Sequence, residues 1–79
     1  QGEVSEEEKK TRFSKKYALT EQEAKTLHLL AEGLSNEEIS RLMNLARETI
    51  KMHLKGLFRK LQVKNRTEAA VLAVREGLD

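Results

Sequence analysis

Apolar residues recur at helical spacing along most of this 79-residue chain, and the clearest case lies between residues 47 and 61. There the apolar positions are spaced i, i+4, i+7, i+8 and i+11, so they share one face of an α-helix. They are Ile50, Leu54, Leu57, Phe58 and Leu61. This stripe predicts an amphipathic helix that buries one face in a core and turns the other face outward.

A shorter helix is predicted just before it. Ser35 and Glu38 have the spacing of a capping box, in which a hydroxyl and a carboxylate satisfy backbone N–H groups at a helix start. The apolar residues that follow on one face are Ile39, Leu42 and Met43. Asn44 then interrupts the apolar pattern, and asparagine tolerates turn conformations. We interpret residues 35–61 as a helix-turn-helix.

Helices are also predicted on both sides of this pair. Thr20 and Glu23 form a second capping box, and Gly33 is suited to end that helix in a left-handed conformation. On the other side, Asn65 can cap a last helix that ends at Gly77. The pattern therefore predicts four helices.

The composition favours an all-α fold. Charged residues make up 35% of the chain and hydrophobic residues 38%, aromatic residues are few, and Pro and Cys are absent. Without cysteine, packing alone must hold the domain together. We expect one helix-turn-helix domain over residues 17–79, preceded by a flexible charged linker or tail over 1–16. The chain has no apolar run long enough to span a membrane and no export signal, so we expect a cytoplasmic protein without a membrane partner.

Positive charge is concentrated in the second half of the chain. Residues 1–40 carry six Lys and Arg against nine Asp and Glu, whereas residues 41–79 carry nine against four. A solvated basic surface is the simplest interpretation of such a bias, and charge alone does not separate it from DNA binding.

The polar face of the helix over 47–61 favours DNA binding. At about 100° per residue, the side chains opposite the apolar stripe belong to Glu48, Met52, Lys55 and Arg59, with Lys51 at the edge of this face. A helix fits the major groove of B-DNA, where lysine can contact guanine O6 or N7 and an apolar group can touch a thymine methyl. Met52 has no clear purpose on a merely solvated face, whereas in a groove it can meet such a methyl group.

Other polar residues are predicted to contact the DNA backbone. The basic side chains near the helix ends and in the following loop are Arg47, Arg59, Lys60, Lys64 and Arg66. Asn36 and Thr49 can add neutral donors. The N-terminus that Ser35 caps carries the positive end of a helix dipole, which suits a phosphate oxygen. Such contacts supply affinity and register without selecting a base sequence.

The last helix is apolar on more than one side. Its run AAVLAV exceeds what one packed face requires, so a second partner is expected, most simply the same helix of another copy. We assign the outer, dimer-forming face to Val71, Leu72 and Arg75. The alternative is that the small Ala side chains let this helix sink deeply into a single core.

The stretch from Leu19 to Gly77 resembles the LuxR-type DNA-binding domain, also called the FixJ/NarL or GerE type. The matching elements are LTEQE, EGLSNEEIS, ETIKMHL, RKLQV and NRTEA. The resemblance implies a four-helix domain of a bacterial transcriptional regulator, with its third helix in the major groove of double-stranded DNA and a homodimer formed through its fourth helix. It also implies that Lys51, Met52 and Lys55 match base- and backbone-contacting positions.

The resemblance further implies control by an N-terminal receiver or ligand-binding domain, which fits a chain that begins with Gln rather than Met. RNA polymerase is a further candidate partner. The chain departs from the family at Ala46, where Ser or Thr is usual, at Arg47, often Pro, and at Gln62, commonly Gly. We therefore expect the third helix to lack an N-cap, and Gln62 to be strained if its backbone is left-handed.

Other classes of function fit less well. An enzyme needs a nucleophile with a base, paired acids or a metal cluster, and the two distant histidines, His28 and His53, provide none of these. We therefore expect no catalytic residue, no metal and no cofactor. A helical protein-interaction module, such as one like region 4 of sigma factors, is the alternative, because basic amphipathic helices also dock on acidic partners. The run KLQVKNRTEAAVLA favours the LuxR-type domain.

Overall fold

A computed structural model of the chain describes residues 6–76, with side chains from residue 12 onward. These residues form five α-helices and no strand. The helices are α1 (Glu6–Tyr17), α2 (Glu21–Ala31), α3 (Asn36–Met43), α4 (Arg47–Leu61) and α5 (Arg66–Arg75). The predicted all-α fold is confirmed, and α2 to α5 are the four predicted helices. The first five residues of the predicted tail and Gly77, the predicted helix end, lie outside the described residues.

α2 and α3 begin at the predicted capping boxes. The Thr20 hydroxyl accepts a hydrogen bond from the backbone N–H of Glu23 (N···O 3.1 Å), and the Glu23 carboxylate accepts one from the backbone N–H of Thr20 (3.0 Å). Ser35 and Glu38 make the same reciprocal pair at 3.2 and 2.8 Å. The Asn65 side chain accepts a hydrogen bond from the third residue of α5 at 2.9 Å. These three predicted helix starts are confirmed.

The core forms where α2 packs against α4 and α5 and where α3 packs against α4. The stripe predicted on α4 is part of it, with four members buried and Phe58 half-buried against them. The other buried apolar side chains are Phe13, Leu27, Leu30, Ile39, Ala69 and Ala73. Because one side of α4 is held in this core, its opposite side faces solvent. None of the helices within residues 6–76 has the length and apolar character needed to cross a membrane.

α1 lies where the sequence predicts a flexible tail. Phe13 is only 3% exposed and joins the core, and its ring centroid lies 5.0 Å from that of Tyr17. The Glu76 carboxylate accepts hydrogen bonds from Lys16 Nζ (2.9 Å) and from the Tyr17 hydroxyl (2.8 Å). A single Phe in a charged run has no periodic apolar pattern, which is why the sequence did not predict this contact. The division at residue 16 stays a prediction, although packing against the core begins before Tyr17.

Several turns use left-handed backbone. Gly33 follows α2 with φ 92°, as predicted, and Asn44 ends α3 with φ 57°. Ala18 and Gln62 adopt the same region with φ 56° and 59°. A side chain with a Cβ is disfavoured there by about 1–2 kcal/mol. Gln62 therefore has the left-handed backbone at which its Cβ was expected to cause strain.

α4 begins without a side-chain cap, as predicted. Ala46 has the extended dihedrals φ −71° and ψ 151°, and its carbonyl accepts a hydrogen bond from the backbone N–H of Ile50 (3.1 Å). The two capping residues Thr20 and Ser35 have similar dihedrals of −74° and 166°, and −77° and 164°. The backbone at Ala46 is thus already arranged for a capping hydroxyl that the chain lacks.

We expect Ala46→Thr to raise the free energy of unfolding by about 1 kcal/mol, because the new hydroxyl can accept a hydrogen bond from an N–H group in the first turn of α4. Urea denaturation measures this change. Ala46→Val is the matched control, because Val has the shape of Thr without the hydroxyl. Equal stabilities of the Thr and Val variants would contradict the missing cap.

We expect Gln62→Gly to raise the free energy of unfolding by about 1 kcal/mol, because Gly removes the Cβ that is disfavoured at φ 59°. Gln62→Ala keeps the Cβ and should bring no such gain, which makes it the control in the same denaturation experiment. A gain for both variants would instead assign the effect to the Gln side chain.

Candidate nucleic-acid interface

The outward face of α4 carries the polar side chains and Met52 that the sequence predicts away from the apolar stripe. Glu48, Lys51, Met52, Lys55 and Arg59 are all exposed. Met52 is 71% exposed, although it is an apolar side chain flanked along the chain by Lys51. The core does not explain its position, because the buried stripe lies on the opposite side of the helix.

α3 lies beside the start of α4 and extends this surface. An open groove runs between the starts of the two helices. Its lining includes Ser35, Asn36, Glu37, Arg47, Lys51 and Arg66. The first backbone N–H groups of α3 have no partner within the helix and belong to the positive end of its dipole. The groove therefore combines cationic side chains with the N-terminus of a helix, which is an environment suited to an anion.

Acidic side chains pair with some of these cations. The Glu37 carboxylate accepts a hydrogen bond from Arg41 Nη2 (2.8 Å) and lies 3.9 Å from Arg47 Nη1. The hydrogen bond from Arg41 and, to a smaller extent, the charge of Arg47 lower the pKa of Glu37. The Glu48 carboxylate lies 3.8 Å from Lys51 Nζ. All five side chains are exposed, so these ion pairs are weak and leave the basic groups able to meet another anion.

Arg66 and Asn36, two of the predicted DNA contacts, are joined by a hydrogen bond between their side chains. Arg66 is half-buried, and its Nη1 donates to Asn36 Oδ1 (2.7 Å) while its Nη2 donates to the carbonyl oxygen of Leu34. These bonds tie the start of α5 to the turn between α2 and α3. Of the other predicted backbone contacts, Lys64 is exposed and Thr49 is half-buried.

Lys60, which the sequence predicts near a DNA phosphate, makes hydrogen bonds within the domain. Its Nζ donates to Glu23 Oε1 (2.6 Å) and to the carbonyl oxygen of Ala18 (2.9 Å). Burial raises the pKa of Glu23, but the hydrogen bonds from Lys60 and Thr20 outweigh it and lower the pKa. Gly56 leaves room for this carboxylate, since a Cβ there would lie 3.3 Å from Glu23 Oε2. The pair joins the last turn of α4 to the start of α2.

α5 is buried on one side and exposed on the other. Ala69 and Ala73 are fully buried, so the small side chains do let the helix sit close to the core. The exposed residues of its outer side include Val71 (47%), Val74 (59%) and Arg75. Leu72, predicted on this side, is half-buried against the core. Val74 was missed by the sequence analysis, although its i+3 spacing from Val71 was an available signal.

Three other residues from the sequence analysis have clear surroundings in the structure. Leu42 is 64% exposed, although it was grouped with Ile39, which is fully buried, and with Met43, which is half-buried. The apolar arc of α3 is thus wider than the side that the core covers.

The two histidines lie in α2 and α4. His28 Nε2 lies 3.1 Å from the carboxylate of Glu32, four residues further along the chain. His53 is half-buried in α4.

Comparison with known proteins identifies the family. A family model described as bacterial regulatory proteins, luxR family, matches residues 17–73. The nitrate/nitrite response regulator protein NarP of Escherichia coli is 43% identical over 58 residues, which cover 73% of this chain and 27% of NarP. The response regulator protein VraR of Staphylococcus aureus is 38% identical over 60 residues, which cover 76% of this chain and 29% of VraR. Among solved structures, none matches the chain significantly.

A second Escherichia coli relative, the putative HTH-type transcriptional regulator YhjB, is 46% identical over 55 residues, which cover 70% of this chain and 28% of YhjB. The chain spans less than a third of the length of each of these relatives. The matched residues 17–73 hold α2, α3, α4 and most of α5, the same helices that build the surface described above. The chain therefore belongs to the luxR family of bacterial regulatory proteins, a family of DNA-binding regulators and not of enzymes.

Proposed function

We propose that this chain binds double-stranded DNA in a sequence-specific manner as part of a transcriptional regulator, with α4 in the major groove. The observation that carries the proposal is the exposed face of α4, where basic side chains surround a 71% exposed Met52 directly opposite the buried stripe. A helix of this width fits the major groove, and the face offers both hydrogen-bond donors and an apolar contact.

Four side chains on this face are the candidates for contact with base edges. Lys51 and Lys55 can donate to guanine O6 or N7, and Met52 can contact the methyl group of thymine. Glu48 can accept a hydrogen bond from the cytosine amino group, and its charge also suits the positive end of the α4 dipole. Selectivity for one base sequence would come from these four.

Contacts with the sugar–phosphate backbone would set the position of α4 in the groove. Arg47, Arg59 and Lys64 are exposed cations toward the two ends of α4 and just beyond it, where flanking phosphates run. Thr49 and Asn36 can add neutral donors. The N–H groups at the start of α3 would donate hydrogen bonds to one phosphate oxygen.

The proposal extends to the whole regulator. NarP and VraR are named response regulators, which supports control of this domain by an N-terminal receiver domain. The exposed apolar residues Val71 and Val74 support dimer formation through α5, with Arg75 beside them. Leu72 would contribute its exposed part. A cytoplasmic location and contact with RNA polymerase follow from the same role.

The base-reading assignment is tested with duplexes obtained by binding-site selection on this domain. The affinity of the wild type should fall steeply with salt, because cation–phosphate contacts release counterions. Lys55→Ala or Met52→Ala should change the preference between related sites by about 1–3 kcal/mol, whereas Lys64→Ala should weaken all sites alike. Fluorescence anisotropy at several salt concentrations measures both effects.

Three results would contradict this assignment. Binding that does not change between low and physiological salt would exclude the proposed phosphate contacts. Equal losses of affinity on all duplexes for the three variants would remove the base-reading roles of Lys55 and Met52. Binding to an acidic protein in place of DNA would favour the protein-interaction alternative.

The dimer assignment is tested with Val74→Glu, which places a charge on the exposed side of α5. We expect this variant to lose cooperative binding to paired half-sites about one helical turn apart and to bind a single half-site as the wild type does. Gln22→Glu adds the same charge at an exposed position of α2 and should retain cooperativity. Cooperativity that survives Val74→Glu would place the dimer contact elsewhere.

A further inference from the structure

Arg66 has a different environment from the other predicted phosphate contacts. Arg47, Arg59 and Lys64 are exposed, whereas Arg66 is half-buried at the start of α5. Its guanidinium group presents planar donors that match two acceptors at once. Both terminal nitrogens are engaged inside the domain, Nη1 with Asn36 Oδ1 at 2.7 Å and Nη2 with the carbonyl oxygen of Leu34.

The bond to Asn36 determines which end of that carboxamide faces outward. A guanidinium group can only donate, so it selects the oxygen end of Asn36. The amide nitrogen is then the end that remains to donate to a ligand. Asn36 is the first residue of α3 and lines the groove that Arg47, Lys51 and Arg66 itself also line.

The bond to Leu34 acts on the backbone. Leu34 immediately precedes Ser35, the N-cap of α3, and its carbonyl is held by a side chain 32 residues further along the chain. Arg66 thus fixes the turn that leads into α3, and with it the place of the first N–H groups of α3 relative to α4.

We infer that Arg66 is a positioning residue for DNA binding, which orients the Asn36 amide and the start of α3 toward a backbone phosphate without contacting DNA itself. The inference rests on the proposed function of the α3 and α4 surface. It assigns Arg66 a role distinct from that of Lys64, which is close in sequence and exposed.

Arg66→Lys separates positioning from direct contact with a phosphate. Lys keeps the positive charge but lacks the planar fork, so it cannot reproduce the paired bonds to Asn36 and Leu34. We expect Arg66→Lys to bind the selected duplex about tenfold more weakly than the wild type. A phosphate contact made through charge alone would instead be preserved by Lys, and wild-type affinity of this variant would overturn the inference.

A double-mutant cycle then tests whether Arg66 acts through Asn36. Asn36→Ala should weaken binding in the wild type but cause little further loss in the Arg66→Lys background, because the amide is no longer oriented there. Losses that multiply would mean two independent contacts and would overturn the inference. A loss caused only by a weaker fold would not depend on Asn36 in this way.

The salt dependence supplies a second measurement. Lys64→Ala should reduce the slope of log K against log salt by about 1, whereas Arg66→Ala should leave it close to the wild-type slope. If Arg66→Ala does not fold, the Arg66→Lys cycle decides alone. A slope reduced as much by Arg66→Ala as by Lys64→Ala would identify a direct phosphate contact.

NMR spectra of the free protein test the positioning separately from DNA binding. The side-chain amide signals of Asn36 and the backbone amide of Glu37 should shift in Arg66→Lys and stay in place in Lys64→Ala. Unchanged Asn36 signals in Arg66→Lys would overturn the inference. A wild type that binds no selected duplex would instead refute the proposed function, so the two failures are distinguishable.

Discussion

The burial of one side of α4 is the constraint on which the surface of this domain depends. Ile50 and Leu57 are fully buried, and each such side chain contributes about 2 kcal/mol when it leaves water. Rotating α4 by one residue position, about 100°, would expose this stripe and bring lysine side chains into the core. The direction in which Lys51, Met52 and Lys55 point is therefore set by packing, and no contact of their own is needed to hold them outward.

The two ends of α4 are held in different ways. Its last turn is joined to α2 by the hydrogen bond from Lys60 to Glu23, which also takes part in the capping box of α2. A second bond from Lys60 reaches the carbonyl of Ala18 in the turn before α2. Its first turn has no side-chain cap at Ala46 and lies next to the groove that α3 and Arg47 line. The less restrained end is thus the one that carries Arg47, and a phosphate bound there would supply the partner that a capping hydroxyl would otherwise provide.

Local patterns in the sequence were enough to predict α2 to α5 and the inner and outer faces of α4. Helical periodicity gave the α4 stripe and hence its exposed side, and residue pairs three apart gave the caps at Thr20 and Ser35. Interactions between distant residues could not be predicted in the same way. Lys60 and Arg66 are basic residues like their neighbours, and only the fold brings them to partners 37 and 30 residues away.

The same limit applies to the apolar side chains at the edges of the core. Phe13 is isolated in a charged segment and still reaches the core, whereas Leu42 has helical spacing and remains 64% exposed. Periodicity indicates which residues share a face, but the width of the covered side depends on which helices pack there. In α5 the helices that pack against one side leave Val74 more exposed than Leu72. Val74 is therefore more accessible than Leu72 to a second copy.

The most direct test of the account is an NMR titration of this domain with a selected duplex, with amide and side-chain signals followed residue by residue. The largest shifts should fall on the exposed face of α4, including Lys51, Met52 and Lys55, and on the start of α3 at Asn36 and Glu37. Large shifts confined to α1 or to the outer side of α5, with α4 unchanged, would contradict it.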